Sequence, residues 1–225
     1  MKPKYSNAYL RNVTREILNQ TRLSDSLTNV VITAFDMKQL SPALFSTYKL
    51  EEVPQLNALL FDIAIATSAA PTYLPPYLFD NAGKEFNMID GGVAAINPGV
   101  VALSEVATQK LKNPKLFPMM KNPNDDTKIL LLSLGCGESA VRNEYSAEDA
   151  DSWGALKYMI NFKTSSSPIT EFMFDGNMDM SEYHLASLFQ GLNAEDNYLR
   201  VQRWLKWITL QQRICRIWKT LERIY

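Results

Sequence analysis

The segment 86–98, FNMIDGGVAAINP, constrains the fold of this chain more than any other. An apolar run ends at Ile89, and Asp90, Gly91 and Gly92 follow it. A short strand that ends in an acid and two glycines presents a carboxylate at a sheet edge, because glycine permits a positive φ and a close approach of other groups. Asp and Gly are also common in ordinary turns, and the segment taken alone favours that simpler interpretation. The rest of the chain is needed to decide between a turn and a site.

Strand-like and helix-like segments alternate along the chain, which indicates an α/β fold with a mostly parallel sheet and helices on both faces. Residues 72–79, rich in Pro and Tyr, are expected to form a loop that lines an apolar pocket or seals the core. Asn97 is the expected N-cap of the helix that follows the Asp-Gly-Gly turn, with Pro98 at its first position. The predicted strands are 29–35, 43–48, 86–90, 128–134 and 198–201, and the predicted helices are 9–23, 56–70, 98–111, 152–162, 169–178 and 181–192.

The charge balance argues against a nucleic-acid-binding protein. The 225 residues are 46% hydrophobic and carry a formal net charge of −1, whereas phosphate binding needs a basic face. Cys136 and Cys215 lie far apart and form no CxxC or Cys/His pattern. No zinc site, disulfide framework or cofactor is therefore predicted.

The N-terminus, MKPKYSNAYLRNVTREI, has no apolar h-region. The chain as given is therefore expected to be cytoplasmic and soluble. The longest uncharged stretch, 63–79, contains three prolines and is not expected to span a membrane. A missing N-terminal part that carries a signal would make the location vacuolar.

The segment 203–225 differs in composition from the domain predicted over residues 1–202. From Arg200 onward the chain has seven basic residues, one acidic residue and three of its four tryptophans. Its apolar positions form one helical stripe, as in a basic amphipathic helix that lies on an anionic membrane or fills a partner's groove. One alternative is that the segment 203–225 packs on the domain as an ordinary amphipathic helix. The other is that this segment belongs to no evolved fold.

No serine nucleophile can be assigned from a motif. None of the nine glycines belongs to a Gly-x-Ser-x-Gly elbow, and the nearest segment, 137–141, has Val141 in place of the second glycine. His184, the single histidine, is expected to be a structural or surface residue of a helix. A Ser-His-Asp triad is therefore not predicted. Asp90 and the loop 135–137 nevertheless both lie at the C-terminal ends of predicted strands, where the active sites of α/β sheets are found.

Five longer segments form an ordered set. They are LTNVVITAFD (27–36), IATSAAPTYLPPYLF (65–79), FNMIDGGVAAINP (86–98), LLLSLGCGES (130–139) and YHLASLFQGLNAEDNYLRVQ (183–202). In this order they resemble the C-terminal two-thirds of the plant patatin family. The resemblance implies a three-layer, modified α/β-hydrolase-type fold, here incomplete because the family's N-terminal part is missing.

The resemblance also implies an activity and a site. Patatins are lipid acyl hydrolases of phospholipase A and galactolipase type, active in lipid catabolism through a Ser-Asp dyad without a catalytic histidine. Asp90, with Gly91 and Gly92, matches the Asp-Gly-Gly motif that carries the dyad acid. Asp90 would then take the proton of the serine hydroxyl. A lipid or phospholipid substrate and peripheral membrane contact are the partners implied, and the oligomeric state is not predicted.

The chain departs from the patatin pattern at several positions. The family's nucleophile elbow and oxyanion loop precede everything present here, so these residues alone are expected to be inactive. Ile96 stands where patatins usually carry Asn, and Cys136 where they usually carry Thr. The resemblance stops at Gln202, and a truncated or frameshifted reading frame would explain both ends.

Two other functional hypotheses remain open. Patatins also serve as tuber storage and defence proteins, so the chain could be a non-catalytic storage or lipid-binding protein. It could equally be a truncated gene fragment, whose sheet edges and core would be exposed and prone to aggregation. If the chain did hydrolyse esters alone, Ser68 or Ser133 would be the candidate nucleophile.

Overall fold

The computed structural model describes residues 3–116, 129–137, 145–160 and 167–202. Two compact units divide the chain, residues 1–105 and residues 106–225. The surface turn predicted at 121–126 and the basic segment 203–225 lie outside the described residues.

A four-stranded antiparallel sheet forms the centre of the first unit. Its strands are β1 (Val31–Asp36), β2 (Ser41–Ser46), β3 (Tyr77–Asn81) and β4 (Lys84–Asp90), in the spatial order β2-β1-β4-β3. The start of β3 corrects the expectation that residues 72–79 form only a loop.

All three strand pairs of this sheet are antiparallel, where the sequence predicted mostly parallel strands. Short connections are the reason for two of them, β1 with β2 and β3 with β4. Only residues 37–40 join β1 to β2, and only Ala82 and Gly83 join β3 to β4. Both Ala82 (φ 51°) and Gly83 (φ 76°) have the positive φ of a tight hairpin turn. Parallel neighbours need a crossover of about a dozen residues or more, so these connections permit only antiparallel pairing. The α/β class itself is confirmed.

Three helices accompany this sheet: α1 (Ala8–Leu18), α2 (Leu60–Thr67) and α3 (Gly99–Lys112). Helix α2 packs against β1, β3 and β4, and α1 packs against α2. The predicted cap of α3 is confirmed, because Asn97 Oδ1 accepts a hydrogen bond from the Gly99 amide at 3.0 Å. The buried core consists of Leu23, Ala34, Phe45, Leu56, Ala58, Phe61, Ile63, Ile65, Ala66, Tyr77, Phe79, Phe86 and Met88.

The second unit contains a parallel pair of strands, β5 (Leu131–Leu134) and β6 (Tyr198–Val201). Its helices are α4 (Ala147–Ala150), α5 (Ala155–Met159) and α6 (Pro168–Gly191). The sequence predicted two helices where α6 is continuous. Ser181, the expected start of the second, lies inside α6, and its hydroxyl donates to the Asn177 carbonyl oxygen at 2.8 Å instead of capping a new helix.

Candidate active site

Asp90 is the last residue of β4, at the position predicted for it. It pairs with Ala34 of β1. Its amide donates to the carbonyl oxygen of Ala69, just after α2, at 3.0 Å. The sheet and the end of α2 therefore hold the backbone of Asp90 from two sides.

One oxygen of the Asp90 carboxylate is held by the turn that follows. The Gly92 amide donates to Asp90 Oδ1 at 2.6 Å, a short hydrogen bond to a charged acceptor. Within the described parts of the chain, Asp90 makes no other side-chain hydrogen bond and no ion pair. Asp90 is half-buried, and its Oδ2 atom accepts no hydrogen bond from the residues that the structure describes.

Close packing, and not an unusual backbone conformation, requires the first glycine of the motif. A Cβ atom at Gly91 would overlap the carbonyl group and hydroxyl of Thr33 in β1. A Cβ atom at Gly92 would lie 3.0 Å from Asp90 Oδ1 and would press on the carboxylate. Neither glycine has a positive φ, so the part of the prediction that expected one is wrong.

Two threonines that the sequence analysis missed complete the packing around Gly91. The carbonyl oxygen of Thr33 accepts a hydrogen bond from Thr67 Oγ1 of α2 at 2.6 Å. This is the same carbonyl that excludes a side chain at Gly91. No sequence pattern predicts that Thr33, Thr67 and Gly91 are neighbours, because they lie on three different elements of the fold.

Asn97 carries an unsatisfied hydrogen-bond donor behind the turn. The residue is only 3% exposed, and its Oδ1 atom is used as the cap of α3. Its Nδ2 atom has no hydrogen-bond partner among the residues described. A buried donor without an acceptor costs about 1–3 kcal/mol, so the Asn97 amide is a position where a further acceptor would stabilise the site.

The candidate serines are engaged elsewhere. Ser68 Oγ donates to the Ala64 carbonyl oxygen at 2.7 Å, within the last turn of α2. Ser133 in β5 is buried, and its hydroxyl accepts from Arg200 Nη1 at 2.7 Å. Neither hydroxyl is hydrogen-bonded to Asp90 in the described part of the chain, and His184 is exposed on α6, in agreement with the surface role expected for it.

The loop 135–137 follows β5 as predicted, and it belongs to the second unit. Gln202 holds it, since its Nε2 atom donates to the carbonyl oxygen of Gly137. Nearby, the Tyr198 hydroxyl donates to Glu182 at 2.6 Å. Burial and this hydrogen bond raise the pKa of the Tyr198 phenol well above its ordinary value. The resulting polar cluster is structural, because its donors are already paired.

A cavity of about 280 Å³ is lined by residues of β1, β2 and β4, and Asp90 is not among them. Its floor includes Phe86 and Met88, and Lys49 and Lys84 also line it. This volume is small for a binding site of a drug-sized molecule. Asp90 does not line this cavity, and it lies instead at the C-terminal end of β4, between β1 and β3.

The described residues hold no group of three or more His, Cys, Asp or Glu side chains that could bind a metal ion. In the same part of the chain, no helix is long and apolar enough to cross a membrane. Cys136 is an exposed free thiol.

Known proteins resemble this chain over most of its length. Residues 1–103 match the family model described as patatin-like phospholipase. Patatin-like protein 4 of Arabidopsis thaliana is 42% identical over 203 residues, which cover 89% of this chain and 50% of that protein. Patatin-like protein 2 of Oryza sativa subsp. japonica is 43% identical over 209 residues, which cover 89% of this chain and 50% of that protein.

A potato protein, Probable inactive patatin-3-Kuras 1 of Solanum tuberosum, is 39% identical over 208 residues, with 90% of this chain and 53% of that protein covered. The chain spans about half the length of the curated relatives it matches.

Proposed function

The chain belongs to the patatin-like phospholipase family, and we propose that it serves in the hydrolysis of acyl esters of lipids, with Asp90 as the acid-base residue. The observation that supports this proposal is the geometry of Asp90. One carboxylate oxygen is held by the Gly92 amide, and the other has no hydrogen bond to the described residues at the end of β4. A general base must be held in place and must also be accessible to the proton it accepts.

The proposed chemistry uses this second oxygen, Oδ2. Asp90 would accept the hydroxyl proton of a serine while the serine oxygen attacks the ester carbonyl carbon. The proton would pass to the leaving alcohol as its C–O bond breaks, leaving an acyl-serine. A water molecule, deprotonated in the same way, would then release the fatty acid and restore the serine.

These 225 residues contain no Gly-x-Ser-x-Gly motif, so we expect them to be inactive alone. The chain should hydrolyse p-nitrophenyl butyrate no faster than its Asp90→Ala variant. Turnover that depends on Asp90 would contradict this expectation. It would direct the search for the nucleophile to Ser68 and Ser133.

A chimaera tests the role of Asp90 directly. The part of rice Patatin-like protein 2 that this chain does not cover would be fused ahead of residue 1. We expect ester hydrolysis by the fusion and a loss on the order of a hundredfold or more in kcat with Asp90→Asn. Asp80→Asn, on β3, is the matched control and should leave the rate unchanged. Full activity of the Asp90→Asn fusion would exclude Asp90 as the base.

A non-catalytic lipid-binding or storage role is the second candidate. The name of the potato relative, which calls that protein probably inactive, favours it. Under this role the fusion would remain inactive although folded, while the chain would still bind lipid vesicles. Equal vesicle binding by the full chain and by a variant ending at Gln202 would show that the basic segment 203–225 contributes nothing.

A further inference from the structure

Two exposed tyrosines of the first unit stack on each other, and a third exposed tyrosine lies in the first turn of α1. Tyr5, Tyr9 and Tyr73 are 55%, 81% and 53% exposed. The rings of Tyr5 and Tyr73 stack with centroids 6.4 Å apart. The Lys4 ammonium lies 5.3 Å from one centroid and 5.6 Å from the other. Single exposed apolar residues need no explanation, but a stacked pair that shares a cation is an organised surface.

Backbone hydrogen bonds hold this surface in place. The Lys4 amide donates to the Thr72 carbonyl oxygen at 2.9 Å, and the Tyr5 amide donates to the Tyr73 carbonyl oxygen at 2.8 Å. Thr72 has a φ of 70°, which is unfavourable for a β-branched residue. The chain therefore keeps a strained residue in the loop that presents Tyr73 to solvent, and such strain is often found at functional positions.

The same loop is linked to Asp90 by backbone contacts. The Tyr73 amide donates to the carbonyl oxygen of Ala70 at 3.1 Å. The preceding carbonyl, that of Ala69, accepts the hydrogen bond from the Asp90 amide at 3.0 Å. The consecutive residues Ala69 and Ala70 thus connect the backbone of Tyr73 to that of Asp90.

The charge beside these tyrosines is positive. Helix α1, which begins three residues after Tyr5, carries Arg11 and Arg15 and a single acidic residue, Glu16. Arg11 lies over the buried Tyr77 ring at 5.2 Å, and Arg15 lies over the buried Phe61 ring at 4.6 Å. Lys4 lies directly against the stacked tyrosines, and its charge complements a negatively charged surface.

We propose that Lys4, Tyr5 and Tyr73 form a docking surface for a lipid bilayer with anionic headgroups. Tyrosine suits the headgroup region because its ring is apolar and its hydroxyl stays hydrated. Lysine adds attraction to anionic lipid. The inference rests on the proposed function, since docking there would bring Asp90 close to the bilayer that contains the ester substrate.

Vesicle sedimentation with the full 225-residue chain tests the docking surface without any catalysis. The probes are vesicles of phosphatidylcholine and vesicles of an equal mixture with phosphatidylglycerol. The test variants are Lys4→Gln and the double change Tyr5→Ser with Tyr73→Ser. Exposed residues of the second unit supply the matched controls, Lys115→Gln and Tyr183→Ser. The basic segment 203–225 is the same in every variant, so a difference in binding between variants arises outside that segment.

We expect Lys4→Gln to weaken binding to the anionic vesicles about fivefold. The double tyrosine change should weaken binding by roughly tenfold or more. The controls should bind like the parent, and circular dichroism should show that every variant is folded. Parent-like binding by both test variants, or no preference of the parent for anionic vesicles, would overturn the docking surface. Neither result would affect the role of Asp90, which the chimaera tests separately.

Discussion

Gly91 links the candidate site to the sheet at the scale of a single residue. Its missing side chain lets the turn after β4 approach the Thr33 carbonyl, and this approach places Asp90 and Gly92 so that the short hydrogen bond between them forms. The role proposed for Asp90 and the packing of the turn against β1 thus depend on the same close contact. A substitution at Gly91 should therefore affect stability as well as chemistry.

Replacing Gly91 with alanine should lower the free energy of unfolding by about 3 kcal/mol, because the methyl group would overlap backbone atoms that cannot rotate away. Urea denaturation measures the loss. The control is Gly176→Ala in α6, where an added Cβ would contact nothing within 4 Å. That control should be neutral or slightly stabilising. Equal midpoints for the two variants would show that the turn can shift without cost.

At the scale of elements, a phenol-carboxylate hydrogen bond joins β3 to α2. The Tyr77 hydroxyl donates to Asp62 Oδ1 at 2.6 Å. Burial, with this hydrogen bond as the second cause, raises the pKa of the Tyr77 phenol well above its ordinary value of 10. The folded protein therefore keeps this proton at a pH where the unfolded chain has lost it.

Stability should consequently fall as the pH rises above about 10, the phenol pKa in the unfolded chain. The contribution of Tyr77 is fully present below that pH and is lost on the way to the higher folded-state pKa. Tyr77→Phe should cost about 2 kcal/mol at neutral pH and should weaken the alkaline fall. Urea midpoints at neutral pH and at about pH 11 test both effects, with exposed Tyr183→Phe as the control. An unchanged alkaline slope in Tyr77→Phe would refute this explanation.

Helix α3, which follows the candidate site, is anchored by a buried carboxylate. Glu105 accepts a hydrogen bond from Ser46 Oγ at 2.8 Å and pairs with the Lys49 ammonium at 2.9 Å. The side chains of Lys49 and Glu105 are only 30% and 7% exposed. The pair therefore connects α3 to the end of β2 and helps to fix the segment that leads from Asp90 to Asn97.

Glu105→Ala should destabilise the protein by about 3 kcal/mol, because it leaves Lys49 partly buried without its counter-charge. The surface pair between Lys38 and Glu85 is well exposed and offers a matched comparison. Glu85→Ala should not measurably change the thermal midpoint, because exposed ion pairs contribute little. A comparable loss of stability in Glu105→Ala and Glu85→Ala would mean that burial does not make the first ion pair more important than the second.

At the scale of the whole molecule, the two units differ in how completely their strands are covered. The first unit surrounds its sheet residues with a continuous core. In the second unit, Leu132 and Leu134 of β5 are 54% and 71% exposed. Parallel strands are normally covered on both faces, so this apolar face is the part of the described structure most prone to self-association.

Lysine at both Leu132 and Leu134 should raise the monomer fraction in analytical ultracentrifugation and leave the thermal midpoint unchanged. Leu199→Lys in β6 is the contrasting variant, since Leu199 is buried and a charge there should unfold the unit. An unchanged monomer fraction in the double variant would show that self-association does not use this face of β5. A monomeric sample with a cooperative thermal transition would also count against the gene-fragment hypothesis.

Local interactions made part of this structure predictable from the residues alone. Asp90 at a strand end, the capping of α3 by Asn97 and the exposure of His184 depend on neighbours within a few positions, so their sequence patterns were sufficient. The hairpin at Ala82 and Gly83 was missed because alanine replaces the usual asparagine or aspartate of such a turn. The continuity of α6 was missed because Ser181 resembles a cap until its back-bond to Asn177 is seen.

The sequence by itself determined the family, the alternation of strands and helices, and the position of the carboxylate before two glycines. The tertiary structure decided the direction of strand pairing and the reason why Gly91 must be glycine. It also decided that the loop carrying Tyr73 is connected to Asp90 through Ala69 and Ala70. These features depend on contacts between residues far apart in the chain, such as Thr33 with Gly91 and Tyr5 with Tyr73. Because their free energy comes from packing between elements, no local pattern encodes them.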